Sequence, residues 1–431
     1  MDIAATHTYL QSLLAGQAQL PASPLAWLNR LRAEAVDRVG ALTVPTTRDE
    51  EWRFTDLSPL TKISFRPAQQ RSRLQLADIE HHLLPEAAAR LVFVDGVYAP
   101  QLSATAVGGG ATLQNLAAAG APAVLEPHLG RHATFRDNGF AALNTAFLHD
   151  GALIVVPRDV ALERPLHLLF IATQAVAIYP RCLLIAGVRS AVTVIEDYVA
   201  LADAVYFNDA VAEIAIADDA RVDHVRVQRE AASAFHIASC AVSLAHASHY
   251  RSTSVALGAH ISRYDLNVTQ TAEGATCTVD GLALIGGRQL ADTHSCIDHT
   301  QPHGVSRQLH KCIAGGAAHA VFNGKIRVRP GAQLTDSAQA SRNLLLSARA
   351  HIDTKPQLEI FADDVKCAHG ATVGQIDNEE LFYLQSRGLP EAAARNLLTY
   401  AFGAEIIERI PVASLRQQLE QAVLTRTAEP S

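Results

Sequence analysis

Between about residue 150 and residue 374 the chain is written in short apolar, β-branched runs, and that pattern constrains its fold more than any other feature. Ala-Leu-Ile-Val-Val at 152–156, Leu-Leu-Ile-Ala at 183–186 and Ala-Val-Thr-Val-Ile at 191–195 are separated by Gly, Asp, Asn and Pro. Runs this short and turn-bounded read as strands. A weak internal pattern recurs among them: a turn-like residue, Ala, any residue, then an apolar one. It marks Val222, Ile261, Cys277, Leu334, Ile352 and Val373, with gaps of 39, 16, 57, 18 and 21 residues. Those gaps fit one, two or three turns of a coil of roughly 16–21 residues. A parallel β-helix has this organisation, each rung burying its inward side chains on the next. A β-sandwich with irregular loops accounts for the same runs, and the pattern alone leaves both open.

The flanks differ from the centre. With 431 residues, two or three folding units are expected. Residues 1–149 form an N-terminal helical and mixed region. Ser23-Pro24 is a helix start signal, followed by Leu25, Leu28, Leu31, Val36 and Val39 at near-helical spacing. Leu-Val-Phe-Val before Asp95-Gly96 and Val-Tyr after it predict a hairpin with a type I′ turn. Residues 150–375 form the strand-rich core, and residues 376–431 a helical tail. In the tail Asp377 opens a short helix that stops at Gly388, and Pro390 opens a second one. Ala394, Leu397, Leu398, Phe402, Ile406 and Ile410 make the apolar stripe of this second helix, and Leu415, Leu419, Val423 and Leu424 resume it after Pro411. Such a stripe buries against the solenoid as a cap or against a partner.

Composition excludes several classes. A formal charge of −7 and the lack of any Lys/Arg run give no electrostatic reason to bind nucleic acid or anionic lipid. The longest apolar stretch, 166–179, carries His167, Thr173 and Gln174 and is too short to span a bilayer. The start, Met1-Asp2-Ile3-Ala4, has no secretory signal pattern, so a cytoplasmic protein is expected. The six cysteines include no Cys-x-x-Cys, which argues against a zinc ribbon or a ferredoxin cradle. A nucleotide-binding P-loop is also missing, so any ATP chemistry falls to another chain.

Two segments carry candidate chemistry. His294, Cys296, His299, His303, His310, Cys312 and His319 are dense in soft ligands, but their spacing matches no closed tetrahedral site and scatters over both faces of strands. In Lys366-Cys367-Ala368-His369-Gly370, residues i and i+2 of a strand share a face, so Cys367 and His369 converge. A neighbouring imidazolium or Lys366 is expected to lower the thiol pKa, suiting the pair to bind iron, accept sulfur or act as a nucleophile. Glu50-x-Trp52 reads as an amphipathic anchor rather than a ligand stack.

The residues around this motif resemble the SufB/SufD family of iron–sulfur assembly proteins. The resemblance runs from Thr335-Asp336-Ser337 to Asn343-Leu344-Leu345-Leu346, through Asp353-Thr354-Lys355-Pro356-Gln357-Leu358-Glu359-Ile360, and along Ala362 to Gly374. Arg307-Gln308-Leu309-His310-Lys311 and Val321-Phe322-Asn323-Gly324 precede it, and Leu381 to Gly388 and Ala401-Phe402 follow. Glu50 to Leu57 is similar to the family's Glu-x-Trp-Lys-Tyr-Thr-x-Leu motif, with Arg53 and Phe54 as departures. Length and motifs sit nearer the SufD side.

The resemblance implies a mainly β fold: a right-handed parallel β-helix flanked by N-terminal and C-terminal helical regions. It further implies a non-catalytic scaffold subunit that pairs with SufB through the β-helix and docks the ATPase SufC on the C-terminal helices. On that stripe Leu397, Leu398, Phe402 and Ile406 are the expected docking residues. The family's cluster-assembly site lies at the SufB interface, which makes His369 the expected metal-contacting residue and Cys367 its neighbour. Iron or a nascent cluster would reside there transiently, with no cofactor held by the isolated chain. Two alternatives remain: a SufB-type subunit that itself receives sulfur and carries the cluster, and a non-catalytic β-helix homodimer. A β-helix carbohydrate-active enzyme would need convergent carboxylates, and Asp363 and Asp364 make no such set.

Overall fold

The computed structural model describes residues 3–66, 73–119 and 122–428. The first four residues' bearing on a targeting signal lies partly outside them. From Ala152–Val156 onward, successive main strands alternate between two sheets. Ala191–Ala200, Arg221–Arg229, His249–Ala256, Thr276–Ile285, Val305–Ala314, Asp336–Leu345 and Lys366–Gln375 stack in parallel in the first. Phe207–Ile216, Phe235–Leu244, Ile261–Gln270, Leu290–His299, His319–Val328 and His351–Ile360 stack in parallel in the second. The chain therefore winds as a parallel β-solenoid with one strand from each sheet per turn. Antiparallel pairing occurs at its beginning, where Val97–Tyr98 folds back on Ala89–Val94 and Thr112–Asn115 on Ala152–Val156. Asp95 and Gly96 both have positive φ there (51° and 80°), the geometry the Asp-Gly turn predicts.

The coil is longer than the sequence pattern suggests. Val222, Tyr250, Cys277, Ser306, Ser337 and Cys367 are successive partners in the first sheet, at steps of 28, 27, 29, 31 and 30 residues. A period of 16–21 residues is thus corrected to about 30, because each turn spends residues on two strands and two corners. The corner into the first sheet has a repeated form. Arg189, Asp219, Ala247, Gly274, His303 and Leu334 all have positive φ, and each stands two residues before a strand of that sheet. The residue between is small and buried in Ser190, Ala220, Ser248 and Ala275.

The interior is filled by inward side chains of both sheets, including a stack in which the Phe93, Phe170 and Tyr198 rings lie 5.4 and 4.9 Å apart. The outer faces are covered by the flanking helices. On the second sheet, Leu28, Leu31 and Val39 of helix Ala26–Ala41 and Phe140 of helix Gly139–Ala146 share one cluster with Leu183, Phe207, Val211 and Ile237. Helix Ala26–Ala41 starts two residues later than the Ser23-Pro24 signal; Ser23 Oγ accepts the Leu25 N–H instead of capping the helix. Beneath these helices Glu213 is fully buried, paired to Arg181 and accepting N–H bonds from Gly130, Arg131, His132 and Ala133. On the first sheet, helices Glu391–Ile407 and Ala413–Ala428 and the turn between them bury Ile406, Ile407, Ile410, Leu415, Leu419 and Val423 against Val225, Val255, Leu282, Leu309 and Ile313. The tail helices lie along the side of the solenoid and leave its last rung uncapped.

Candidate functional site

The last rung consists of His351–Ile360 in the second sheet and Lys366–Gln375 in the first, each paired along one edge only. Among the described residues no further strand pairs the backbone N–H and C=O groups along the other edge, the arrangement that templates pairing with another chain. Within Lys366–Gln375 only Cys367 is partly buried, and His369 is exposed. Large apolar side chains stand exposed beside them: Phe361 at 60%, Val373 at 47% and, on helix Asn378–Ser386, Phe382 at 71%. Exposed aromatic and aliphatic groups in such numbers mark an interaction surface.

Cys367 and His369 terminate two columns that run up the inside of the first sheet. Cys277, Ser306, Ser337 and Cys367 form one; Val279, Gln308, Gln339 and His369 form the next. From Ser306 and Gln308 onward the columns are polar and internally bonded. His299 Nε2 lies 2.9 Å from Ser306 Oγ, which lies 2.7 Å from Ser337 Oγ. Gln339 donates to Gln308 Oε1 at 2.7 Å, and Gln308 donates to Ser295 Oγ at 2.8 Å. Gln339 Oε1, in the residue paired with His369, is buried without a hydrogen-bond partner. The two columns end at Cys367 and His369 on the open rung.

The thiol of Cys367 does not match its expectation. Burial pushes its pKa up; the backbone bond at Ser337 offsets part of that rise, and Asp336 adds a little to it. Lys366 and His369 do not activate it, so Cys367 is a neutral thiol and its packing against the interior cluster fits that state. The histidines and cysteines between 294 and 319 separate into different environments. His310 stacks on Phe322 with centroids 4.4 Å apart, its pKa pushed down to about 3 by burial, and burial pushes the neighbouring Cys312 thiol up to about 12. His299, on the second sheet, is buried against Ser306 of the polar column, while His303 sits in a corner with φ of 60°. No single ligand set unites the seven.

His294 belongs to a clamp that the sequence did not reveal. Asp292, buried in the second sheet, receives Thr55 Oγ1 at 2.5 Å and Arg263 at 2.6 Å, and lies 3.0 Å from His294 Nε2. Arg263 also lies over the Trp52 ring at 3.8 Å and donates to the Glu51 carbonyl at 2.7 Å. The Glu50 to Leu57 segment is thereby anchored to the solenoid, as the amphipathic reading of Trp52 requires. Lys355, on the last rung, reaches Glu50 at 2.9 Å.

The docking stripe divides. Ile406 is wholly buried in the cluster shared with the first sheet and has no surface to offer, a correction to its expected role. Phe402 is half-buried beneath Lys311 Nζ, 4.4 Å from its ring, and Leu398 is also half-buried. Leu397 is 43% exposed and faces solvent.

Comparison with known proteins agrees with this geometry. Residues 169–402 match the family described as SUF system FeS cluster assembly, SufBD core domain, and residues 3–168 match the SufBD protein N-terminal region. An iron–sulfur cluster assembly SufBD family protein of Synechocystis is 42% identical over 95% of this chain and 94% of its own. The iron–sulfur cluster assembly protein SufD of Escherichia coli is 35% identical over 87% of this chain and 88% of its own. SufD of Bacillus subtilis is 26% identical over 92% and 93% respectively. Among the described residues no helix is long and apolar enough to cross a membrane. A solenoid with an unfinished last rung, together with matches spanning nearly the whole chain, makes this protein a SufD-like member of the SufBD family, with a role in SUF iron–sulfur cluster assembly.

Proposed function

We propose that the chain is a non-catalytic, cytoplasmic scaffold subunit of a SUF assembly complex, pairing with a SufB-type subunit through its last rung. The observation that carries this reading is the pair of one-sided strands, Lys366–Gln375 and His351–Ile360, with Cys367 and His369 on the open edge. A second solenoid adding its own terminal strands would complete the backbone pairing and continue the polar columns beneath Gln339. His369 then offers imidazole nitrogen to iron or a nascent cluster formed between the two chains, which is cargo and not a resident group. Cys367, a neutral thiol, is the weaker ligand until a metal or a partner's base removes its proton. The tail helices carry a SufC-type ATPase, with Leu397 as the exposed apolar contact and Leu398 and Phe402 flanking it.

Co-expression of the full chain with SufB-type and SufC-type subunits tests this reading. His369→Ala is expected to leave the co-purified complex intact and to reduce its iron–sulfur content in cells severalfold or more. Unchanged cluster content would remove His369 from the site. Loss of the complex would make the residue structural. A stable homodimer that excludes the SufB-type chain would overturn the pairing.

A further inference from the structure

We propose that His319, His351 and Asp353 form a binding site for a divalent first-row transition-metal ion. His319 and His351 open adjacent strands of the second sheet and are direct register partners. Directly paired residues of parallel strands project from the same face, and Asp353, two residues beyond His351, projects with them. Ala320 and Ile352, the intervening positions, pack into an interior cluster, so the three ligand-type groups lie on the outer face.

Their donor atoms converge. Asp353 Oδ2 lies 2.7 Å from His319 Nε2 and 3.2 Å from His351 Nε2. All three donors lie within 4.8 Å of one another. An ion held at about 2.0–2.2 Å by nitrogen and oxygen requires donors roughly 3–3.5 Å apart. The His351 side chain is 67% exposed, free to rotate the small distance that would centre an ion. Two neutral imidazoles and one carboxylate suit Fe²⁺, Co²⁺ or Zn²⁺ better than Mg²⁺ or Ca²⁺. Three protein ligands leave coordination positions for water or for a group from an incoming chain. The site stands on the opposite sheet from Cys367 and His369, and two of its three ligands, His351 and Asp353, lie on the open rung.

Co(II) titration of the untagged full chain carrying Cys367→Ser and His369→Ala tests the site apart from the pair on the first sheet. One equivalent should bind, with visible d–d absorption. Adding His351→Asn, a change at an exposed position, should weaken binding at least about tenfold, the scale of loss that removing even an outer-shell partner produces. Circular dichroism checks that this variant keeps its strands, and Asp353→Asn should give the same loss. Failure of the starting protein to bind Co(II), or equal binding in both variants, would reduce the triad to a carboxylate bridging two imidazoles and overturn the proposal.

Discussion

His294 shows how the environment of a side chain sets what it does. Burial alone would lower its pKa, but Asp292 and Glu51 outweigh that and raise it to about 9. Glu51 is held down at about 2, first by its bond with His294, and Asp292 lies at about 2 because Arg263 and His294 overcome its burial. A raised histidine stabilises the fold fully below its unfolded value near 6.5 and loses that contribution as pH rises through about 9. Depressed carboxylates act above their unfolded values and lose their contribution as pH falls through about 2. His294→Gln should therefore cost most stability near pH 6, with the difference from wild type shrinking toward pH 9 in denaturant titrations. An equal difference across that range would remove the imidazolium from the clamp. Glu213→Gln is a second residue-scale test. It leaves the buried Arg181 charge uncompensated, and urea unfolding should show a loss of about 3–5 kcal/mol. The Cys367–His369 pair was legible from i, i+2 spacing. The clamp was not, because Thr55 and Asp292 stand 237 residues apart.

The tail helices illustrate what an element's sequence reveals and what it conceals. Asp377 accepts the Glu379 N–H at the start of Asn378–Ser386, Gly388 takes φ of 95° after it, and Pro411 separates the two long helices, all as written in the chain. Periodicity located the stripe but could not say which members face the solenoid and which face water. Ile406 and Leu397 are the sharp contrast. Ile406→Ala should destabilise by about 2–5 kcal/mol through a core cavity. Leu397→Ala should change stability by no more than about 0.5 kcal/mol while weakening capture of a SufC-type ATPase. Comparable unfolding midpoints for the two variants would contradict the division. Because these helices cover Val225, Val255 and Leu282, removing them would expose the sheet, so point changes test docking more cleanly than truncation.

At the scale of the molecule, the sequence disclosed a coil but mismeasured its turn. Asp219-Ala220-Arg221-Val222 and Gly274-Ala275-Thr276-Cys277 are true corners, with Asp219 and Gly274 at positive φ two residues before a strand. Arg349-Ala350-His351-Ile352 enters the other sheet, and Gly370-Ala371-Thr372-Val373 lies inside a strand. Mixing corners from both sheets with a chance match shortened the apparent period. The same pairing that defines the period leaves Lys366–Gln375 and His351–Ile360 as the two unfinished strands, and the scaffold account rests on them. Amide hydrogen exchange of the full chain, alone and mixed with a SufB-type subunit, tests that claim most directly. The account predicts that 351–360 and 366–375 exchange readily in the free chain and become strongly protected in the complex. Unchanged exchange in both strands, with protection confined to another surface of a complex that does form, would contradict it.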